Sequence, residues 1–246
     1  SSDSRSYLLT AAQAFADALR LGEVSADVHE GAALTLQSLG RPQEAIVHLQ
    51  AAVRLDGSSG RYLALARALS QIGREQIRGG QTAIGRQTLR SAIAHFESAL
   101  EREPENVKAL IDLASLQWNS DQPDLGLGDR EAATQTLSKA AGLTPASPEA
   151  LVRLGRLLFS QSPPDYAAAK SVFVDVLRLT RGTDATAERG EASYYLSRIV
   201  IENNDVDAAQ AIPGADLALS YEPANPRYRQ QACLARIRFA DIKTEA

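Results

Sequence analysis

A chain of 246 residues with 44% hydrophobic side chains holds enough apolar material for a packed core, which excludes a disordered chain. Aromatic residues supply only 5%, so that core rests on Ala, Leu, Ile and Val and suits closely packed helices better than sheets. A net charge of −4 leaves no overall basic excess to hold a phosphate backbone, which argues against nucleic acid as the principal partner, and a single cysteine, Cys233, excludes both an internal disulfide framework and a thiolate-rich zinc site.

No run approaches the roughly 18 apolar residues that a membrane span needs. Cys233 lies between Ala232 and Leu234 and reads as a small buried residue. The chain starts at Ser1-Ser2-Asp3-Ser4, without Met, and reads as trimmed; a cytoplasmic or a periplasmic address, with a removed signal or anchor upstream, fits this start equally.

In chain order, the first helical segment spans 6–22 and carries Ala11, Phe15 and Ala18. The same small–large–small spacing returns 34 residues later at Ala45, Leu49 and Ala52. It recurs at Ala92, Phe96 and Ala99, at Ala133, Leu137 and Ala140, and at Ala169, Phe173 and Val176. Steps of four and three put these residues on one helical face, where the small ones admit a neighbouring helix and the large one fills the space between. Each such helix is expected to be the second of a pair, with Gly40 ending one first helix and Pro42 opening the next second helix. The pairs span 25–57, 60–104, 107–145, 148–181 and 187–223, and 226–243 is a polar terminal cap. Together with 6–22, a capping or half-repeat helix, they form one repeat domain over 1–246.

The spacing from Ala45 to Ala92 is 47 residues, so the second pair is expected to extend by about two turns per helix around Gly79-Gly80. A flexible loop is the alternative. The excess between Ala92 and Ala133 falls in Asn119 to Asp129, which carries Pro123, Gly126 and Gly128 and reads as loop. In the last pair, Leu196 and Val200 point inward, and Pro213 is expected to break the second helix or to precede its start. Only about ten residues precede Ala11, so either 6–22 is a lone cap or further repeats lie upstream.

Large-x2-Leu-small-x2-large followed by Ala-x3-Phe-x2-Ala and a closing Pro resembles the tetratricopeptide repeat, most clearly at Leu151, Leu154, Gly155, Leu158, Ala169 and Phe173 and at Ala92, Phe96, Ala99 and Pro104. The resemblance runs from Tyr7 to Pro223 and implies an all-α, right-handed superhelical solenoid of antiparallel helix pairs. It also implies that the first helices line a concave groove. The residues it places there include Arg67, Arg156 and Arg198 in one ladder, with Lys108, Trp118, Phe159 and Tyr194 in neighbouring groove positions. Arginine forks bind carboxylates and aromatic rings supply contact area, so the expected partner is a protein or peptide with acidic and apolar side chains. The same arginines could instead pair with carboxylates of adjacent repeats, and Trp118 could pack under the loop that follows it. Glu30 and Leu34 stand where a chaperone-tail carboxylate clamp of the family would need a basic residue and an asparagine, which disfavours that mode.

Catalytic constellations are missing from the sequence: there is no phosphate-binding glycine loop, no nucleophile elbow and no histidine pair at metal-ligand spacing. His48 and His95 hold equivalent places in two repeats. No cofactor and no enzymatic activity are expected. The reading is a scaffold or adaptor; its alternative is a docking domain of a larger enzyme whose catalytic part lies elsewhere. Self-association through the 73–90 hairpin and the end helices is a third reading.

Overall fold

The computed structural model describes residues 2–118, 127–203 and 211–245. Among these there are twelve α-helices and no strand. They are α1 (Ser2–Arg20), α2 (Ala26–Ser38), α3 (Pro42–Leu55), α4 (Ser59–Arg78), α5 (Thr82–Arg102) and α6 (Val107–Gln117), followed by α7 (Arg130–Ala141), α8 (Pro148–Phe159), α9 (Tyr166–Leu179), α10 (Thr186–Glu202), α11 (Ala211–Tyr221) and α12 (Pro226–Glu245). Two compact units divide the chain within α7, at residue 133.

In the first unit α2–α3 and α4–α5 are helix hairpins, and their seams are the residues of the repeated pattern. Ala45, Leu49, Ala52, Leu89, Ala92, Phe96 and Ala99 are all buried, against Ala33, Leu65, Ala66 and Leu113. Small residues at fixed spacing let the backbones approach, and one large side chain per seam fills the volume between them. Local chemistry starts and stops the helices where the seams require. Ser25 Oγ accepts from the Val28 N–H at 3.2 Å and Asn106 Oδ1 from the Ala109 N–H at 3.0 Å. Gly40 and Gly80 turn the chain after α2 and α4 with φ of 74° and 84°, a region that glycine enters without steric cost.

The α4–α5 hairpin settles the 47-residue spacing in favour of extended helices. These two helices have 20 and 21 residues, against 13 and 14 in α2 and α3, or about two more turns each. Of the loop expected at Asn119 to Asp129, 119–126 lies outside the described residues. Asp129 is non-helical and its Oδ1 accepts from the Ala132 N–H at 2.9 Å, capping α7.

In the second unit α8–α9 and α10–α11 repeat the arrangement around Ala169, Phe173, Val176, Ala192, Ala215 and Ala218. Two expectations need correction. Pro213 neither breaks α11 nor precedes it: it lies within the helix described from Ala211 to Tyr221. The expected start at Asp207 to Ala209 lies outside the described residues. Cys233 is exposed rather than buried, because α12 packs inward through Tyr228, Gln231, Ala232 and Ala235. Gln231 is a buried polar anchor, its Nε2–H donating to Ser197 Oγ at 3.0 Å.

Candidate functional site

The first helices of successive pairs are joined by ion pairs. In the first unit Arg61, at the start of α4, reaches back to α2, pairing with Asp27 and with Glu30 at 3.2 Å, and also meets Asp56. Arg67, two turns on, donates from Nε to Asp112 Oδ2 of α6 at 2.8 Å. In the second unit Arg156 of α8 pairs with Glu191 of α10 at 3.3 Å. The alternative weighed for the arginines, pairing with carboxylates of adjacent repeats, is therefore the state of Arg67 and Arg156. Arg61 lies nearly two turns before the ladder position at Arg67, and its α2 partners lie 34 and 31 residues upstream, a pairing that periodicity does not report.

Burial separates the seven candidate residues. Arg67 and Lys108 are exposed, while Arg156, Arg198 and Trp118 are half-buried. Phe159 and Tyr194 are each only 8% exposed. They belong to an aromatic cluster in which Tyr195 stacks on Phe173 with centroids 5.1 Å apart and meets Phe159 edge-on at the same distance. Arg198 lies over this cluster, 4.5 Å from the Phe159 centroid and 5.7 Å from those of Tyr194 and Tyr195. Its Nε and Nη2 groups donate to Glu202 Oε1 at 2.7 and 2.5 Å. Arg198, Phe159 and Tyr194 thus come together as one packed group. Trp118 ends α6 with the Arg130 guanidinium 4.2 Å above its ring.

A second feature, unnoticed in the sequence, lies on the α2–α3 pair. Val24, His29, Val47, His48, Ala51, Arg54 and Leu55 line a cleft of about 420 Å³. The two imidazoles meet in its wall, their Nδ1 atoms at hydrogen-bonding distance, 3.0 Å, so that one ring donates and the other accepts. Burial, and then the neighbouring charges of His48 and Arg54, make His29 harder to protonate than a free imidazole. The corresponding pair in α4–α5 is Tyr62 and His95, with rings 5.9 Å apart. That cleft is closed: Arg102 lies 4.5 Å over the Tyr62 ring. Superposing the two repeats by sequence sets Leu55 against Arg102, Val47 against Ala94 and Ala51 against Ser98. The signal was available as Val47, Ala51 and Leu55 at spacings of four on one helix.

Among the described residues no helix is long and apolar enough to cross a membrane, and no group of three His, Cys, Asp or Glu side chains could hold a metal ion.

Paired helices with small-residue seams, joined from one first helix to the next by ion pairs, define a helical-repeat protein. The tetratricopeptide-repeat model matches residues 9–60, and the fold is that of tetratricopeptide-repeat proteins. One similar solved structure is the C-terminal part of a TPR repeat-containing protein from Cytophaga hutchinsonii, at 16% identity and a TM-score of 0.69, covering 97% of this chain and 83% of that one. Another is YrrB, described as a TPR protein with an unusual peptide-binding site, at 19% identity and a TM-score of 0.60, covering 89% of this chain and 98% of that one. PilF of Pseudomonas aeruginosa is similar at 18% identity and a TM-score of 0.56, covering 90% and 93%. No curated protein matches the chain.

Proposed function

We propose that the chain is a protein-interaction scaffold that holds a peptide or protein segment on the faces of its first helices. The observation that carries this reading is Arg67. Its Nε is committed to Asp112, its side chain is 42% exposed, and among the described residues its two terminal amino groups have no partner. A guanidinium oriented by one carboxylate and open to another costs little to order when an acidic side chain binds. Lys108 adds a second exposed cation near the start of α6. In the first unit Trp118 would border the ligand; Arg156 and Arg198 hold the matching first-helix places of the second unit, where Phe159 and Tyr194 support Arg198 from below.

The test is affinity capture with the intact chain and an Arg67→Glu, Lys108→Glu variant, quantified against ionic strength. A scaffold of this kind loses its partner in the variant at unchanged helicity, and the parent's binding weakens as salt rises. Equal capture by both proteins removes these first-helix cations from the binding face.

A further inference from the structure

The closed and open clefts of the first unit compare one repeat position in two states. In α4–α5 the ring pair Tyr62–His95 is capped by the chain's own Arg102, and a Cβ at Gly57 would already touch both Tyr62 and Arg102, at 3.2 and 3.6 Å. In α2–α3 the ring pair His29–His48 opens onto the cleft instead. The residue at Gly57's place is Val24, and that at Arg102's place is Leu55. Val24, Val47 and Leu55 are 59%, 61% and 50% exposed, so three large apolar side chains stand in water around one concavity. Scattered exposed apolar residues are ordinary, but a contiguous group lining a cleft marks a contact surface.

Charge selects among the possible occupants. Arg54 lines the cleft where the closed repeat has Glu101. It is exposed, and among the described residues it makes no ion pair, unlike Arg61, Arg67 and Arg156. An occupant that brings its own carboxylate satisfies this cation at the moment its apolar part leaves water. The volume, about 420 Å³, suits one or two side chains and not a helix. Because the walls are open, a long acyl chain would leave much of its length hydrated.

We propose that the α2–α3 cleft is a docking site for a partner peptide with a leucine-sized apolar anchor next to an acidic residue, the anchor entering between Val24, Val47, Ala51 and Leu55 and the carboxylate meeting Arg54. The His29–His48 pair forms the polar part of the wall. This site uses none of Arg67, Lys108, Trp118, Arg156 and Arg198, the residues named for the first-helix faces, so the two readings fail separately.

The experiment titrates the full chain with three capped hexapeptides, followed by methyl and backbone NMR shifts. The first carries two central leucines flanked by glutamates, the second replaces the glutamates by glutamine, and the third replaces the leucines by serine. The expected result is saturable shifts at Val47 and Leu55 with the first peptide, about tenfold weaker binding of the second, and none with the third. Arg54→Glu weakens the first peptide to the level of the second or below. Val47→Asp, a change at an exposed position checked by circular dichroism, abolishes binding, while Arg67→Glu leaves it unchanged. No saturable shift at millimolar peptide overturns the proposal, as do shifts confined to α4 and α6 or equal binding of the glutamine peptide. Self-association of the chain that Val47→Asp abolishes assigns the cleft to a second copy instead, and binding of octanoate as tight as that of the first peptide assigns it to a lipid.

Discussion

Gly73 and Gly85 face each other across the α4–α5 hairpin so closely that neither can carry a side chain. A Cβ on Gly85 would lie 2.6 Å from the Gly73 carbonyl oxygen, and one on Gly73 would lie 3.0 Å from that of Gly85. The longest helices of the first unit therefore approach backbone to backbone. Gly85→Ala forces them apart, since the atom in the way is main chain, and is expected to destabilise the protein by about 1–3 kcal/mol. Gly60→Ala, on the same hairpin with nothing within 4 Å of its Cβ, serves as the control and should leave the urea midpoint unchanged or raise it slightly.

Two further glycines meet phenylalanine rings, and their costs should differ. A Cβ at Gly155 would fall 2.7 Å from Phe173 Cζ, and one at Gly31 would fall 2.5 Å from Phe15 Cζ. Phe173 is fully buried, whereas Phe15 is only half-buried on α1. Phe15 can swing toward solvent and Phe173 cannot. Gly155→Ala is expected to cost about 1–3 kcal/mol and Gly31→Ala distinctly less, in spite of its shorter initial contact. Thermal melts of the two single variants check the ordering.

Arg198 should matter to stability before it matters to binding. Its guanidinium covers Phe159 at 4.5 Å and is tied to Glu202. Arg198→Ala exposes the aromatic cluster and is expected to cost about 1–2 kcal/mol, with Arg198→Lys intermediate because the planar contact and the paired hydrogen bonds to Glu202 are lost together. Denaturation followed by tyrosine fluorescence measures both. A charge reversal at Arg198 consequently cannot be read as a test of partner recognition alone.

The two perturbed histidines set a pH dependence. Burial holds His95 below its ordinary 6.5, and burial followed by the charges of His48 and Arg54 does the same for His29. The unfolded chain therefore takes up protons more readily below pH 6.5, and folding opposes them. The stability that the neutral rings confer is fully present above that pH and is lost as pH falls through it. Urea midpoints should drop between about pH 7.5 and about pH 5.5, and a His29→Gln, His95→Gln variant should show a smaller drop over that interval. An equally steep drop in the variant places the titration in other groups.

The repeated small–large–small spacing was enough to place the helix seams, because close helix packing needs those residue types at steps of three and four whatever surrounds them. Ala45, Leu49, Ala92, Phe96, Ala169 and Phe173 are buried where that pattern requires. The lengthened hairpin was legible too, since the 47-residue spacing and Gly79-Gly80 leave room for two extra turns per helix. Pro213 misled because the described helix runs through it, and whether a chain accommodates a proline within a helix is not written in the apolar pattern.

Exposure was the part that only tertiary structure decided. Phe159 and Tyr194 hold positions that the resemblance assigns to a groove, yet they are buried, because Tyr195, Tyr228 and Arg198 close over them from other parts of the chain. Cys233, with apolar neighbours in sequence, faces solvent because α12 turns its other side inward. Arg67 and Arg156 proved to be paired with carboxylates 45 and 35 residues away, and Arg102 closes one cleft while its counterpart Leu55 leaves another open. Periodicity reports which side of a helix is apolar; which neighbour covers that side, and which charge meets which, follows from contacts between residues far apart in the chain.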